Sequence, residues 1–402
     1  TYVANIDILL NGRTLDKIPI EIVVSPLPMP ATAQGAFGFY YQARTFPISA
    51  PSQAYEMFLG AFGCMKQLGF TSVTLPGVAH VAGIDVNSGK ISMRFDDNSI
   101  RAARDAGLGR HANQPLLLNQ LNVARAIARR LPGMEDARVE RQPGIELTQP
   151  SFRPLWMSAM GQYQDFLAKN EGYYVFEVID EPREHPNPWN RNFEDTMTYG
   201  QWMGELGLQR FVTLMGDKNG GRDYTGLVDV VDVVSVHLNH GARNLQKRAL
   251  AKGKALWFFN AGLSRKSWGF SSWEKGATGR FEWHWCWPGD PANNTGGYPG
   301  EDWHNPFTRV HGLVPNAPKS EMVGGLLLNS ALFDAADGII DYTFIRAFED
   351  LLRKGDFRTR AAHAKALAQL REIRDAVANG EAKPDTWRGT ISMSAEALGA
   401  TP

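Results

Sequence analysis

The segment YYVFEVIDEP, Tyr173 to Pro182, joins a run of β-forming residues to two adjacent carboxylates and a proline that stops the strand. A helical pattern, WMSAMGQYQDFLAKN, precedes this segment, and another, FEDTMTYGQWMGELG, follows it. A strand between two helices is the unit from which parallel sheets with crossover helices are built. The segment therefore predicts a strand that ends at Asp180 and Glu181.

Eight β-rich runs of this kind alternate with helical patterns along the chain. We predict the strands at residues 36–42, 70–77, 114–120, 173–180, 210–216, 232–239, 255–262 and 279–285. Eight strands with interleaved helices predict an α/β fold, a (β/α)8 TIM barrel with long loops on its C-terminal face. The alternative is an open doubly wound sheet, but the first strand-to-helix turn lacks the G-x-G-x-x-G pattern of such folds.

Two smaller segments flank the predicted barrel, which occupies residues 31–357. Residues 1–30 contain a polar turn, NGRTLDK, and the strand-period alternation IPIEIVV, which together predict a short N-terminal β-hairpin. A lone hairpin is marginally stable, so we expect a remnant of, or link to, a preceding β-domain, or an added edge of the barrel. The start at Thr1 agrees with a processed or trimmed chain. Residues 358–402 predict a C-terminal helix and tail.

Composition limits the classes of partner. The 402-residue chain carries 42 Lys plus Arg and 42 Asp plus Glu, so it has no global field to attract nucleic acid. The sequence contains no run of about 18 apolar residues, which a membrane-spanning helix would require. The two cysteines fit neither a disulfide framework nor a metal site, and the histidines lack H-E-x-x-H spacing. We predict a neutral or small partner, with no metal and no organic cofactor.

Asp180 and Glu181 are the strongest candidates for catalysis. Pro182 ends the strand ladder, so the chain can curl there and turn both carboxylates toward one ligand. Two close carboxylates raise each other's pKa, so one keeps its proton while its neighbour is ionised. Cleavage of a glycosidic bond needs such a proton donor and such a negative charge. The alternative is a charged turn in which Asp180 caps a helix and Glu181 pairs with Arg183.

The position of a second, distant carboxylate separates the glycosidase mechanisms. A retaining enzyme needs a nucleophile about 5 Å from the acid, and an inverting one needs a base about 6.5 to 9.5 Å away. The sixth and seventh predicted strands end in HLNH and FFNAG, which contain no acid. Asp217, after the fifth strand, and Glu282, within the eighth, are the remaining candidates. The missing acid at the seventh strand favours a nucleophile that belongs to the substrate.

Four segments resemble glycoside hydrolase family 123: YYVFEVIDEP, the late strand GRFEWHWCW, the following NPF, and DAADGIIDYTFI. The resemblance covers roughly residues 20 to 355. It implies a (β/α)8 barrel with β-N-acetylgalactosaminidase activity, in which the sugar's 2-acetamido group attacks its own anomeric carbon to give an oxazolinium-type intermediate. It also implies that Asp180 orients and stabilises the acetamido group, while Glu181 is the general acid and then the base. Members of the family usually carry an N-terminal β-sandwich, of which at most the predicted hairpin is present here.

Aromatic and polar residues near the predicted strand ends are candidates for sugar binding. Seven of the 11 tryptophans fall between residues 257 and 303, namely Trp257, Trp268, Trp273, Trp283, Trp285, Trp287 and Trp303. Aromatic faces stack on the C–H face of a sugar, and we choose Trp283, Trp285 and Trp287, although Trp257 and Trp283 also suit a structural core. The polar candidates at the mouth are Tyr41, Asn119, His237, Asn239 and Asn260, with Tyr298 directed at the acetamido carbonyl. The alternative for each polar residue is a rim position with satisfied hydrogen bonds.

We therefore expect a retaining glycoside hydrolase that cleaves β-linked N-acetylgalactosamine, or a related 2-acetamido sugar, by substrate-assisted catalysis. One alternative is a two-carboxylate glycosidase that uses Glu181 with Asp217 or Glu282. Another is a non-catalytic carbohydrate-binding barrel, in which the acids only accept hydrogen bonds. Because glycan-degrading enzymes usually meet their substrates outside the cytoplasm, we expect a secreted, periplasmic or cell-surface protein.

Overall fold

A computed structural model describes most of the chain. The described residues are 2–22, 24–41, 51–134, 144–183, 192–219, 222–237, 240–285, 330–354 and 359–400, with only the backbone at 21, 51–53, 283–285 and 330–331. They form two compact units, residues 32–342 and residues 1–31 with 343–402. The helix Ser330–Lys354, which the sequence assigned to the barrel, contributes residues to both units.

The elements alternate between strands and helices over most of the chain. The strands are β1 (Tyr2–Leu10), β2 (Arg13–Ile22), β3 (Ala36–Tyr41), β4 (Ser72–Val73), β5 (Ala79–Asp85), β6 (Lys90–Phe95), β7 (Leu116–Asn119), β8 (Tyr174–Glu177), β9 (Arg210–Leu214), β10 (Lys218–Asn219), β11 (Arg222–Asp223), β12 (Val233–His237), β13 (Ala255–Phe259) and β14 (Gly279–Trp285). The helices are α1 (Pro51–Gln67), α2 (Asn98–Asp105), α3 (Leu121–Ala128), α4 (Phe152–Leu167), α5 (Phe193–Glu205), α6 (Arg243–Ala251), α7 (Arg265–Trp268), α8 (Phe270–Glu274), α9 (Ser330–Lys354), α10 (Arg360–Ala378) and α11 (Pro384–Ala397).

Eight parallel strands form the barrel of the first unit. Their order around the sheet is β4-β3-β14-β13-β12-β9-β8-β7, and each of the eight coincides with a predicted strand. The two ends of this order meet, because Thr74 forms a parallel bridge with Leu117 and Leu75 N donates to Leu117 O at 2.8 Å. The sheet is therefore nearly closed, and the predicted (β/α)8 fold is confirmed.

The interior of the barrel is filled by alternate residues of its strands. One cluster contains Ala36, Tyr40, Leu117, Val175, Phe211, Val233, Trp257, Phe259 and Phe281. These residues come from seven strands, and only the inside of a closed sheet brings seven strands into one cluster. Two residues further along four of the strands, the inward positions are Asn119, Glu177, Thr213 and Ser235. The interior is therefore apolar in its middle and polar toward the carboxyl ends of the strands.

Helices cover the outer face of the sheet. In α1 the predicted apolar stripe is buried at Ala54, Phe58, Ala61 and Met65. The buried carboxylate of Asp341 receives two hydrogen bonds from Arg265, Nε to Oδ2 at 2.7 Å and Nη2 to Oδ1 at 3.1 Å. A buried carboxylate needs such a bidentate partner, and this pair fixes the first half of α9 to α7.

The second unit contains the N-terminal hairpin and the C-terminal helices. Strands β1 and β2 pair antiparallel from Tyr2–Ile22 to Leu10–Arg13 around the turn Asn11-Gly12, whose φ angles of 50° and 76° suit a primed hairpin turn. The predicted hairpin is thus present. The predicted tail contains a further helix, α11, which starts with a proline in its first turn. Among the described residues, none of the helices combines the length and apolar composition that a membrane crossing requires.

Gly38 tests how closely β3 and β4 pack. A Cβ added at this position would overlap the backbone carbonyl oxygen of Ser72, which cannot move without breaking the pairing of the two strands. We expect Gly38→Ala to lower the free energy of unfolding by about 2 kcal/mol or more in a urea titration. The control is Gly63→Ala in α1, where an added Cβ meets nothing within 4 Å. That variant should match the wild type or gain up to about 1 kcal/mol, and equal losses in both variants would contradict the close packing.

Candidate active site

One threonine hydroxyl holds the acid pair at the carboxyl end of the barrel. Thr213, an inward-facing residue of β9, donates from Oγ1 to Asp180 Oδ1 at 2.8 Å. The same Oγ1 accepts a 2.8 Å hydrogen bond from the backbone N–H of Glu181. A hydroxyl offers one donor and two acceptor positions, so it can serve both residues at once. The two carboxylates therefore lie just beyond β8, at the predicted end of the barrel.

The backbone at Glu181 is strained. Its φ is 42°, in the left-handed region that residues other than glycine adopt rarely and at a cost of about 1 kcal/mol or more. The sequence placed a curl of the chain at this point, and the structure locates it at Glu181 itself. Because the turned N–H binds Thr213, the hydrogen bond and the curl support each other. Strain of this kind is concentrated at functional sites.

The two carboxylates have different electrostatic surroundings. Burial, followed by the negative charge of Glu181, raises the pKa of Asp180 to about 6, against the lowering effects of the Thr213 hydrogen bond and Arg183. Glu181 instead pairs with Arg183, Nη2 to Oε2 at 2.8 Å. Asp180 therefore keeps its proton to a higher pH than an ordinary aspartate does. The Glu181–Arg183 pair of the charged-turn alternative is present, but the cap of the following helix α5 is Asn192, which accepts from Asp195 N at 2.8 Å.

The adjacent tyrosines Tyr40 and Tyr41 face opposite sides of β3. Tyr41 packs edge-on against Phe58 and Phe62 of α1, at ring-centroid distances of 5.7 and 5.3 Å. The prediction that Tyr41 points toward the mouth is therefore wrong, because its side chain lies on the outer face of the strand. Tyr40 faces the interior. Burial first, and then the negative charges of Glu177, Asp180, Glu181 and Glu282, raise its pKa well above the ordinary value, which places its hydroxyl within the field of the acids.

Glu177 is a third acid of the site that the sequence analysis did not select. It ends β8, lies opposite Asn119 of β7, and is only 7% exposed. Its Oε2 accepts from Asn119 Nδ2 at 3.0 Å. A glutamate within an apolar strand is rarely buried without a role, and this is the signal that the run VFEV contained. Thr213 was missed as well, since its partners depend on how neighbouring strands align.

The remaining predicted binding residues belong to several strands and the segments that follow them. Asn119 faces the interior beside Glu177. His237 ends β12, where its ring meets those of His240 and Phe259 at 4.3 and 5.4 Å, and Asn260 follows β13 with a φ of 48°. The backbone of β14 carries Trp283 and Trp285. Three predicted residues lie outside the described residues, namely Asn239, Trp287 and Tyr298.

The two acids considered as distant partners of Glu181 have structural contacts elsewhere. Asp217 accepts the N–H groups of Asn244 and Leu245 at 2.9 and 2.8 Å, at the start of α6. Glu282 is 1% exposed and accepts from Arg280 Nη2 and Ala261 N, both at 3.2 Å. Within the described part of the chain, no group of three or more His, Cys, Asp or Glu side chains has the arrangement of a metal site.

Comparisons with solved structures find similarities at low sequence identity. No protein-family model and no curated protein matches the sequence. An endo-β-1,4-mannanase from Thermotoga petrophila is 13% identical, with 77% of each chain covered and a TM-score of 0.42. A GH18 chitinase from Flavobacterium johnsoniae is 8% identical over 63% of this chain and 88% of that chain, with a TM-score of 0.35. The homocysteine methyltransferase of Escherichia coli is 9% identical over 64% and 94%, with a TM-score of 0.35.

Asp180→Asn tests the raised pKa of this carboxyl group through stability. The unfolded chain releases this proton near pH 3.8, whereas the folded protein keeps it up to about pH 6, so ionisation opposes folding above that pH. We expect the variant to be more stable than the wild type by about 1–3 kcal/mol at pH 7.5, and the gain to vanish below about pH 4. Thermal unfolding at both pH values measures this. The control is Asp85→Asn, which removes a carboxyl group whose pKa is lowered by hydrogen bonds from Ser88 and should show no such gain. A stability loss in Asp180→Asn at pH 7.5 would contradict the assignment.

Proposed function

We propose that this protein is a retaining glycoside hydrolase that cleaves β-linked 2-acetamido sugars, N-acetylgalactosamine first among them, by substrate-assisted catalysis. The observation that carries the proposal is the acid pair itself. The hydroxyl of Thr213 binds the Asp180 carboxylate and the backbone N–H of Glu181 at the carboxyl end of a parallel barrel, and Asp180 has a pKa of about 6. Active sites of this fold lie at that end. The resemblance of YYVFEVIDEP to glycoside hydrolase family 123 supplies the substrate class.

The proposed reaction gives each carboxyl group one task. Glu181 donates its proton to the leaving oxygen while the oxygen of the 2-acetamido group forms a bond to the anomeric carbon and the glycosidic bond breaks. Ionised Asp180 accepts the acetamido N–H and stabilises the positive charge of the oxazolinium-type ring. Water then attacks the anomeric carbon, the bond from that carbon to the acetamido oxygen breaks, and the water gives a proton to Glu181, which restores the acid. The two displacements on one carbon retain its configuration.

The contacts of the other acids support a nucleophile that comes from the substrate. A conventional two-carboxylate enzyme needs a second free carboxylate across the substrate from the acid. Asp217 uses both oxygens at the start of α6, and Glu282 is held by the buried guanidinium of Arg280. Glu177 ends β8, the strand that leads into the acid pair. These placements favour the acetamido mechanism over the pairing of Glu181 with Asp217 or Glu282.

Substrate choice tests the proposed function directly. We expect the protein to hydrolyse an aryl 2-acetamido-2-deoxy-β-galactoside and to show no measurable turnover of the matched aryl β-galactoside, because only the first carries the nucleophile. A thiazoline analogue of the intermediate should inhibit the reaction. Glu181→Gln should lose about 10²-fold or more on an unactivated leaving group, since the proton donor is removed. Equal turnover of the two glycosides would support a two-carboxylate glycosidase, and sugar binding without turnover would support a binding barrel.

The pH dependence of kcat/KM tests the division of tasks. Since Asp180 must be ionised and its pKa is about 6, we expect kcat/KM to rise with pH as this group ionises, with the midpoint of the rising limb near pH 6. Thr213→Val removes the hydrogen bond that lowers this pKa, so the rising limb should move to higher pH. Thr213→Ser keeps the hydroxyl and should leave the limb in place. A kcat/KM that falls as the pH rises through 6 would make Asp180 the proton donor and contradict these roles.

A further inference from the structure

One carboxyl oxygen of Glu177 is left without a hydrogen bond within the described part of the chain. The side chain is more than nine-tenths buried, and Oε1 has no hydrogen-bond partner among the described residues. A buried polar atom without a partner costs stability, so native structures contain few of them. Glu177 occupies an inward-facing position of β8, so this oxygen lies at the polar end of the barrel interior.

The neighbouring Asn119 determines which oxygen of Glu177 is left over. Asn119 Oδ1 accepts the backbone N–H of Leu121 at 2.7 Å, where α3 begins. Its amide nitrogen must therefore face the other way, and it donates to Glu177 Oε2 at 3.0 Å. Because an amide nitrogen is only a donor, Oε2 is fixed as an acceptor. Any proton on Glu177 then sits on Oε1, which is the unpartnered atom.

The surroundings of Glu177 favour the protonated form. Burial first, and then the negative charge of Asp180, raise its pKa well above the ordinary value, with the Asn119 hydrogen bond acting in the opposite direction and Glu181 adding to the rise. A neutral carboxyl with an acceptor already satisfied presents an O–H donor and a second lone pair to whatever lies next to it. Hydroxyl groups, which both donate and accept, match such a group.

A second buried hydroxyl supports the same interpretation. Ser235 is inward-facing on β12, fully buried, and its Oγ also has no partner among the described residues. It lies beside Thr213 in the strand register, and Thr213 holds Asp180. The interior wall next to the acid pair thus presents unused hydrogen-bonding atoms from two separate strands, β8 and β12. A site for a small polyhydroxylated molecule needs such convergent polar atoms in buried surroundings.

We propose that Glu177 is a substrate-binding residue whose Oε1 hydrogen-bonds a hydroxyl group of the sugar held at Asp180 and Glu181; this inference rests on the proposed function for the choice of sugar. A role in folding alone does not account for the side chain, because a carboxyl group with an unused oxygen is a poor filler of a barrel interior. The ligand supplies the missing partner. Glu177 thereby determines which hydroxyl pattern the site accepts.

Affinities for deoxygenated sugars test the contact on the intact chain. The probes are N-acetylgalactosamine and its 3-, 4- and 6-deoxy analogues, and calorimetry measures Kd for the wild type, Glu177→Gln and Glu177→Leu. Glutamine keeps an acceptor for Asn119 and a donor for the sugar, so its Kd should stay within about twofold of the wild type. Leucine should raise Kd for N-acetylgalactosamine about tenfold, the effect of one lost hydrogen bond. For one deoxy analogue the wild type should already show that loss, and leucine should add nothing.

Equal effects of leucine on all four sugars, or no effect on any, would overturn the contact. If Glu177→Leu fails to fold, Glu177→Asp gives the same discrimination, because it keeps the carboxyl group but withdraws it by one methylene. Turnover of the aryl glycoside without the deoxy coupling overturns only the role of Glu177. The coupling without turnover upholds that role and overturns the hydrolase, and no binding of any of the sugars overturns both.

Discussion

Closure of the parallel sheet is the constraint on which the rest of the barrel depends. The shortest strand of the barrel, β4, pairs with β3, and Thr74 directly after it bridges to β7, so the two ends of the sheet are joined. In a closed sheet, strand alternation sends side chains from distant parts of the chain into one interior. Asn119, Glu177 and Thr213 are brought together in this way, although helices and loops separate them in sequence.

Within that interior, the hydroxyl of Thr213 connects fold and chemistry. It fixes the carboxylate of Asp180 and the turned backbone of Glu181, so the geometry of both acids depends on the alignment of β9 with β8. The site combines a left-handed φ at Glu181 with a buried acid at Glu177 and a carboxyl group of raised pKa at Asp180, and each of these features opposes folding. The apolar cluster in the middle of the barrel provides the stability that offsets them. Several destabilising features concentrated in one place are typical of functional sites.

The sequence predicted the strands and the acid pair because both have local signals. The β-rich runs and the helical periodicity between them are properties of short windows, and Pro182 marks the end of β8 directly. The direction of Tyr41 was not predictable in the same way, because AFGFYY is apolar on both faces and alternation carries no signal there.

Other features depend on contacts between distant segments. Thr213 acquires its role from the register of two strands, Asp217 from the approach of α6, and Glu177 from its enclosure in the barrel. None of these contacts is encoded in a window of a few residues. Of these residues, Glu177 has a local signal in the sequence, because it is a single charged residue within an apolar strand.

The proposed chemistry depends on a raised pKa of the Asp180 carboxyl group at the carboxyl end of the barrel. A ¹³C NMR titration of aspartate carboxyl carbons in the wild type and in Asp180→Asn measures this property directly and without any substrate. We expect one aspartate resonance that titrates with a pKa of about 6 and is missing from the spectrum of the variant. If every aspartate titrates below about pH 4.5, in the ordinary range for this residue, the raised pKa of Asp180 is contradicted.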